Sequence, residues 1–74
     1  MTLIKKVGIR RQAGYIYFID TEGDITRTRL GNGRVAKREK VFKLGIKKNP
    51  AYYYYLDGRG NVVMSPRTQE YYGN

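Results

Sequence analysis

The chain contains no cysteine and no histidine. Their absence excludes disulfide bonds, thiol chemistry and the usual zinc ligands, so the fold must depend on packing and hydrogen bonds. No segment approaches the roughly 20 apolar residues that cross a bilayer, and the N-terminal stretch lacks the apolar core of a signal peptide. The sequence therefore predicts a soluble, cytoplasmic protein.

Groups of residues that could perform catalysis are also missing. The sequence has no nucleophile with a base, no carboxylate pair outside the predicted turns, no Walker-type loop and no metal-ligand cluster. We therefore expect a protein that is not an enzyme, uses no cofactor or metal and has no small-molecule substrate.

Acidic residues are few. Six stand against 15 lysines and arginines, which gives a formal net charge of +9, and residues 1–37 and 38–74 contribute +5 and +4. Such a charge attracts polyanions, which would relieve the self-repulsion of so small a body. Nucleic acid is the favoured partner; an acidic protein, an anionic membrane and solubility alone are the alternatives.

The most informative feature that is present is an internal repeat. Residues 4–28 align without a gap with residues 41–65 at a constant offset of 37, with seven identities and many close substitutions. Average composition would give roughly one or two identities by chance. A unit of this size cannot bury an apolar face alone, so two copies should pack about a pseudo-twofold axis.

The repeat unit has the pattern of a β-hairpin preceded by an edge strand. Residues 15–19 and 52–56 are aromatic and β-branched, which favours strands. Each is followed by D-x-x-G-(D/N), typical of a type I turn closed by a glycine with positive φ, so Asp20 and Asp57 are predicted to form turns. Edge strands and return strands are predicted, in chain order, at residues 6–11, 25–30, 43–48 and 62–65.

Two three-stranded antiparallel meanders result, with helical periodicity nearly absent. The predicted fold class is all-β, with the two tandem meanders packed as one small pseudo-twofold sandwich or barrel. One domain spans residues 1–74; its parts are repeat 1 (4–28), a basic connector (29–40), repeat 2 (41–65) and a C-terminal tail (66–74) that covers a sheet edge or frays.

Tyrosine and arginine share one side of the first predicted hairpin. The expected pairs are Ile19/Ile25, Tyr17/Arg27 and Tyr15/Arg29 on that side, and Phe18/Thr26 and Ile16/Thr28 on the other. Tyrosine beside arginine offers a stacking surface for unpaired bases together with phosphate contacts. The equivalent tyrosines of repeat 2, Tyr52 and Tyr54, face Pro66 and Met64. Core packing and direct stacking are both open for these four tyrosines.

Ile16 and Phe18 are replaced in repeat 2 by Tyr53 and Tyr55, which makes the positions of Ile16 and Phe18 the expected inner face. Four consecutive tyrosines cannot all point one way. At least one aromatic row should therefore be partly exposed beside basic residues, as in a binding surface.

The connector differs in character from the repeats. A flexible Gly31-Asn32-Gly33 turn precedes a group of four cations around Glu39. We expect a mobile basic loop, which is either a solvated linker or an arm that orders against phosphates. The cations of the edge strands contact phosphate in the functional interpretation, and discourage sheet-to-sheet aggregation in the structural one.

The string K-V-G-I-R-R-Q-A-G-Y-I-Y-F-I-D-T-E-G-D-I-T-R, from Lys6 to Arg27, resembles a group of small, basic, uncharacterised prokaryotic proteins. These share a G-Y-(L/I)-Y-F-I-D-x-x-G-(D/N)-(V/I)-(S/T)-R hairpin, sometimes twice. The resemblance covers about two thirds of the chain over both copies and implies the repeated hairpin, with no function to transfer. The second copy departs from the pattern at Ala51, Arg59, Val63 and Met64.

We therefore predict an RNA-binding protein, ribosomal or ribosome-associated, that contacts the backbone of ribosomal RNA, with ribosomal proteins as possible neighbours and no membrane partner. A DNA-binding, chromatin-like protein and a protein-interaction module that uses the tyrosine face are the alternatives. The predicted binding residues are Lys5, Lys6, Arg10, Arg11, Tyr15, Tyr17, Arg27, Arg29, Arg34, Lys37, Arg38, Lys40, Lys43, Lys47 and Lys48.

Overall fold

The computed structural model describes residues 1–31 and 37–67. These residues include six strands and no helix, hence no helix long and apolar enough to cross a bilayer. In chain order the strands are β1 (Thr2–Lys5), β2 (Tyr15–Ile19), β3 (Ile25–Arg29), β4 (Arg38–Phe42), β5 (Tyr52–Leu56) and β6 (Val62–Pro66). They form two three-stranded antiparallel sheets, ordered β2-β3-β4 and β1-β6-β5. The all-β prediction with two three-stranded sheets is confirmed.

Each aromatic strand folds back on its return strand as predicted. β2 pairs with β3 so that Tyr15 lies opposite Arg29 and Ile19 lies opposite Ile25. β5 pairs with β6 in the equivalent register, with Tyr52 opposite Pro66. The residue pairs predicted for both hairpins are therefore confirmed.

Asp20 and Asp57 close the two hairpin turns. Oδ1 of Asp20 accepts hydrogen bonds from the amides of Glu22 and Asp24 at 2.9 and 3.0 Å. The Asp57 carboxylate accepts the two equivalent amide bonds, both at 2.9 Å. The glycines that follow have φ of 81° and 78°, which side chains rarely adopt. The prediction that both aspartates form turns is confirmed.

The third strand of each sheet comes from the other repeat. β1 precedes the hairpin β2-β3 but pairs with β6, and β4 precedes the hairpin β5-β6 but pairs with β3. The predicted edge strands at 6–11 and 43–48 are wrong in position, because the outer strands lie just upstream of both segments. Gly8 and Gly45 explain the difference: their φ values of 69° and 64° are incompatible with a continuing strand, so the chain turns and crosses to the other sheet.

The two crossings approach the backbone of the opposite hairpin turn. The Ile9 amide donates to the Gly60 carbonyl at 2.9 Å, and the Ile46 amide donates to the Gly23 carbonyl at 3.0 Å. A Cβ added at Gly23 would lie 2.0 Å from the Ile46 carbonyl oxygen, and one at Gly60 would lie 2.1 Å from that of Ile9. Each turn glycine is therefore required both for its backbone conformation and for the space that it leaves.

A side chain next to each turn glycine strengthens the same crossing. Oδ1 of Asp24 accepts hydrogen bonds from both amides of residues 44–45, at 2.8 and 2.7 Å. Oδ1 of Asn61 accepts the corresponding bonds from residues 7–8, at 2.9 and 2.8 Å. Each donor and acceptor in one set lies 37 residues from its equivalent in the other set, which is the offset of the repeat. The hydrogen bonds therefore follow the predicted pseudo-twofold relation.

The core lies where the two hairpins meet, with β2 beside β5. It is small: its buried cluster consists of Ile19, Ile25, Leu56 and Val62. Apolar residues of the crossings and one tyrosine of each hairpin pack around it, namely Val7, Ile9, Tyr17, Leu44, Ile46 and Tyr54. In the described part of the chain β1 and β4 each pair with a strand on one side alone, so the arrangement is two packed sheets rather than a closed barrel.

The close approach at Gly60 predicts a large effect of a single methyl group. Gly60→Ala should lower the free energy of unfolding by about 2–4 kcal/mol, because the Cβ meets backbone and the positive φ is strained. Gly8→Ala is the matched control, since Gly8 also has positive φ but has open space around its Cα, and should cost about 1–2 kcal/mol. Urea denaturation of both variants measures the difference; equal losses would show that the crossing tolerates a side chain.

Candidate nucleic-acid interface

Lys40 of β4 lies among the three carboxylates of the first hairpin turn. Its Nζ donates to Asp24 Oδ2 at 2.7 Å, lies 3.3 Å from Asp20 Oδ2 and also contacts Glu22. The hydrogen bonds to Asp24 and Glu22 raise the pKa of Lys40, and the bond from Lys40 is the main cause that lowers the pKa of Asp24. Lys40 was predicted to contact phosphate, but in the fold it compensates this acidic turn.

The same three carboxylates could hold a metal ion by their spacing, since their oxygens lie within 4.8 Å of one another. The ammonium of Lys40 supplies positive charge at this place instead. Repeat 2 has a neutral version, because Asp24 and Lys40 correspond to Asn61 and Leu3. The position after the turn glycine therefore keeps its amide-binding oxygen in both copies but is charged, and paired with a lysine, in repeat 1 alone.

The guanidinium of Arg27 in β3 lies over the ring of Tyr15. Its guanidinium carbon lies 3.9 Å from the centroid of the Tyr15 ring. Nε donates to Glu39 Oε1 at 2.6 Å, while one terminal nitrogen donates to Gln12 Oε1 at 2.7 Å and to Tyr17 Oη at 3.3 Å. The bonds to Tyr17 and Glu39 raise the pKa of Arg27. Two predicted binding residues, Tyr15 and Arg27, are thus brought together in a fixed stack.

Tyr17 contributes to this stack from its hydroxyl. The oxygen also accepts a hydrogen bond from the Gln12 amide at 2.8 Å. Burial raises the pKa of Tyr17, but the hydrogen bonds from Arg27 and the Gln12 amide outweigh it and the net pKa is lowered. Tyr17 was predicted to bind nucleic acid; its ring packs against the core and its hydroxyl positions the arginine.

Arg11 and Lys48 occupy equivalent positions in the repeats and both bind the opposite hairpin. Arg11 donates to the carbonyls of Asp57 and Leu56 at 2.7 and 3.0 Å, and Lys48 Nζ donates to the carbonyl of Ile19 at 2.9 Å. Their cationic groups thus secure the crossing, in addition to any contact that they make with a ligand.

The remaining predicted cations are exposed. Among the described residues, no ion pair or side-chain hydrogen bond involves Lys5, Lys6, Arg10, Arg29, Lys37, Lys43 or Lys47. Lys5 and Lys43 come from different repeats but line one cleft of about 400 Å³ with an apolar floor that includes Phe42. The two lysines come together because β1 and β4 each pair with the hairpin of the other repeat. Arg34 was also predicted as a binding residue and lies outside the described residues.

The connector is more ordered than predicted at its C-terminal end. Residues 29–40 were expected to form a mobile basic loop, but Arg38 begins β4 and Thr28 lies opposite it in β3. The expectation of a mobile loop is therefore wrong for residues 38–40; the reason is that β3 offers them an unpaired edge. Most of the predicted tail, residues 68–74, lies outside the described residues.

A second cleft lies at the open end of the first hairpin, where β2 begins, β3 ends and β4 begins. It has a volume of about 390 Å³ and is lined by Tyr15, Arg29, Lys37, Arg38 and Glu39. The guanidinium of Arg38 also lies 5.3 Å from the ring of Phe18 on the outer side of the sheet. Four predicted binding residues therefore line one cleft, and the cationic group of Arg38 lies on the other face of the sheet.

The prediction of which hairpin face points to the core is wrong. Ile16 and Phe18 were expected on the inner face, but Ile16 is 48% exposed and its counterpart Tyr53 is 53% exposed. The buried pair Ile19/Ile25 shares a side with Tyr15, which makes that side the inner one. This register was available from the sequence and could have identified the inner face.

Sequence reasoning also missed two polar residues near the aromatic surfaces. Gln12, treated as part of a turn, anchors Arg27, and Arg67 stacks over Tyr53 with its guanidinium carbon 4.5 Å from the ring centroid. A glutamine in a predicted turn gives no signal of such a contact. Arg67 follows Pro66 directly and lies on the outer face with Tyr53.

No protein-family model, curated protein or solved structure matches this chain. The resemblance to the small basic prokaryotic proteins therefore stays a prediction, and function must be argued from the site itself.

The acidic turn predicts a loss of stability in acid. Burial raises the pKa of Asp20, but hydrogen bonds from Thr26, the Asp24 amide and Lys40 outweigh it, so the pKa of Asp20 is lowered. The hydrogen bonds from Lys40 and the Gly45 amide lower the pKa of Asp24. Groups with lowered pKa stabilise the fold above their unfolded pKa of about 4, and this contribution is lost as the pH falls below that value. The melting temperature should therefore drop between pH 4 and pH 2.

Asp24→Asn isolates one part of this effect, because Asn61 shows that an amide oxygen serves in the same turn. The variant should lose less melting temperature than the parent between pH 4 and pH 2, as followed by circular dichroism. An unchanged acid profile would mean that the Asp24–Lys40 pair adds nothing to stability.

Proposed function

We propose that this protein binds RNA, as a ribosomal or ribosome-associated protein, through its exposed cations and the aromatic–arginine surface of its first hairpin. The observation that supports this most is the different use of acidic and basic side chains. Acids are used within the fold, whereas many cations are left for a partner.

Every acid in the described part of the chain has an internal role. Asp20, Glu22 and Asp24 surround Lys40, Glu39 binds Arg27, and Asp57 binds amides of its own turn. The cations without such bonds therefore dominate the outer potential. Each one that meets a phosphate releases counterions and adds affinity without reading sequence.

The surface is better suited to unpaired RNA than to duplex DNA. A half-buried tyrosine with a stacked arginine, beside a cleft of about 390 Å³, matches the way in which single-stranded bases are held by aromatic rings and guanidinium planes. That volume lies at the lower end of the range of about 300–1,000 Å³ for small-ligand sites. Ribosomal RNA offers many unstacked bases next to dense phosphate, which agrees with both features. Localisation in the cytoplasm belongs to the same proposal.

A protein-interaction module is the second candidate, because the outer edges of β1 and β4 are exposed. Leu3, Val41 and Phe42 on these strands are 55%, 36% and 44% exposed. An unpaired edge with apolar residues can accept a strand from a partner. The basic residues on these strands weigh against an isolated hydrophobic interface, so RNA is the better-supported partner. DNA binding uses the same cations and is separated by experiment.

Salt dependence tests the electrostatic part of the proposal. Arg10→Gln and Lys47→Gln, at equivalent positions of the two repeats, should each reduce the slope of log affinity against log salt by about 0.7 for single-stranded RNA. Fluorescence anisotropy with a labelled unstructured RNA gives the slope. Arg59→Gln is the control, since Arg59 is an exposed cation in a turn outside the predicted surface. A parent protein whose binding ignores salt would contradict the proposal.

Sedimentation of cell extract tests the ribosomal assignment. The protein should move with ribosomal subunits and should be released from them by ribonuclease. Recovery with the nucleoid after ribonuclease treatment would favour the DNA-binding alternative. Dimers of the purified protein that persist without nucleic acid and in high salt would favour the interaction module.

A further inference from the structure

The cleft at the end of the first hairpin has the components of a pocket for one nucleotide. Tyr15 provides an aromatic wall, and Arg29 and Lys37 place two cations at the opening, whereas the Arg38 guanidinium lies on the outer side of the sheet near Phe18. Arg29 and Lys37 have no ion pair or side-chain hydrogen bond to another described residue. Their charge is available to a ligand without breaking an internal contact.

The acidic residue of this cleft does not oppose an anion. Glu39 is bound through Oε1 to Nε of Arg27 at 2.6 Å, so its charge is compensated locally. Arg27 is in turn fixed by Gln12 and Tyr17 and lies against the ring of Tyr15. The wall of the cleft is therefore organised before a ligand arrives, which reduces the entropic cost of binding.

The second repeat lacks this arrangement at equivalent positions. Tyr52 corresponds to Tyr15, but Met64 and Pro66 stand where repeat 1 has Arg27 and Arg29. Tyr52 therefore has neither the stacked guanidinium nor the neighbouring free cation opposite it. Lys48 and Arg67 line a cleft with Tyr52, but Lys48 donates to the Ile19 carbonyl, and Arg67 donates to the Tyr52 carbonyl and lies over the Tyr53 ring. The chain therefore offers a comparison between a tyrosine beside unengaged cations and one whose neighbouring cations are bound within the fold.

We infer that this cleft binds one unpaired nucleotide of an RNA strand, with the base stacked at Tyr15 and the adjoining phosphates held by Arg29 and Lys37. The inference rests on the proposed RNA binding and specifies where a base is engaged. The fixed Arg27 holds the tyrosine ring in place, and the two cations at the opening hold the backbone that leads in and out.

Paired substitutions in the two repeats test the base contact. Tyr15→Leu should weaken binding of an unstructured RNA by about 5- to 150-fold, the range expected for loss of one base–aromatic stack. Tyr52→Leu should weaken it less than twofold. Fluorescence anisotropy at one fixed salt concentration gives both values, and equal effects of the two variants overturn the inference.

Two further ligands separate base from phosphate and strand from free nucleotide. Inorganic polyphosphate has no base, so Tyr15→Leu should bind it as well as the parent does; an equal loss for polyphosphate and RNA would show that Tyr15 acts only through the fold. Adenosine monophosphate should bind at least 100-fold more weakly than the RNA, because one nucleotide lacks the other backbone contacts. Comparable affinities would identify a site for free nucleotides and overturn the assignment to a strand.

Arg29→Gln gives a readout that does not depend on core packing. Because Arg29 is exposed and makes no side-chain bond within the described residues, the variant should keep the parent melting temperature and lose about 0.7 of the salt slope on RNA. An unchanged slope removes Arg29 from the site. If the parent protein binds no RNA at all, the proposed function fails; if it binds but both repeats respond alike, the cleft assignment fails alone.

Discussion

The contact on which the rest of the structure depends is the approach of each crossing segment to the turn glycine of the opposite hairpin. The Ile46 amide binds the Gly23 carbonyl, and Ile9 binds Gly60 in the same way. These bonds bring backbone so close to backbone that a Cβ has no place. Since β1 and β4 reach their sheets through these crossings, each sheet is completed only when both repeats are present. Two hairpins that are marginal alone become one cooperative unit.

Around this shared contact the two copies have diverged in a correlated way. In repeat 1 the residue after the turn glycine is Asp24, and Lys40 of β4 compensates its charge. In repeat 2 the residue is neutral Asn61, and the position of Lys40 is Leu3, which lies opposite Val63 as Lys40 lies opposite Thr26. A buried carboxylate without a cation would be unfavourable, and a lysine over an amide would gain little. In each repeat the residue on the outer strand therefore matches the charge of the residue after the turn glycine: Lys40 with Asp24, and Leu3 with Asn61.

The sequence was sufficient for what depends on neighbouring residues and insufficient for what depends on partners far along the chain. The hairpins, the turns at Asp20 and Asp57 and the β2-β3 register follow from local turn chemistry and alternation, and all are confirmed. Alternation at Val7 and Ile9 correctly marked residues that pack on the core, but the same pattern fits a strand and an irregular crossing. Nothing local distinguishes pairing within a repeat from exchange between repeats. The sequence also could not show which cations stabilise the fold. Arg11 and Lys48 donate to carbonyls that are within reach only because of the crossing.

The exchange also explains how a symmetric scaffold can have an asymmetric surface. The contacts that stabilise both halves use shared positions, namely the turn acids, the turn glycines and the crossing residues, so positions on the return strand are free to differ. Repeat 1 uses this freedom to place Arg27 and Arg29 beside Tyr15, next to the basic strand β4. So much positive charge on adjacent strands would be unfavourable without compensation, and Glu39 and the acidic turn provide it for Arg27 and Lys40. The uncompensated cations are thereby left at the rim, where a polyanion rather than the fold itself can neutralise them.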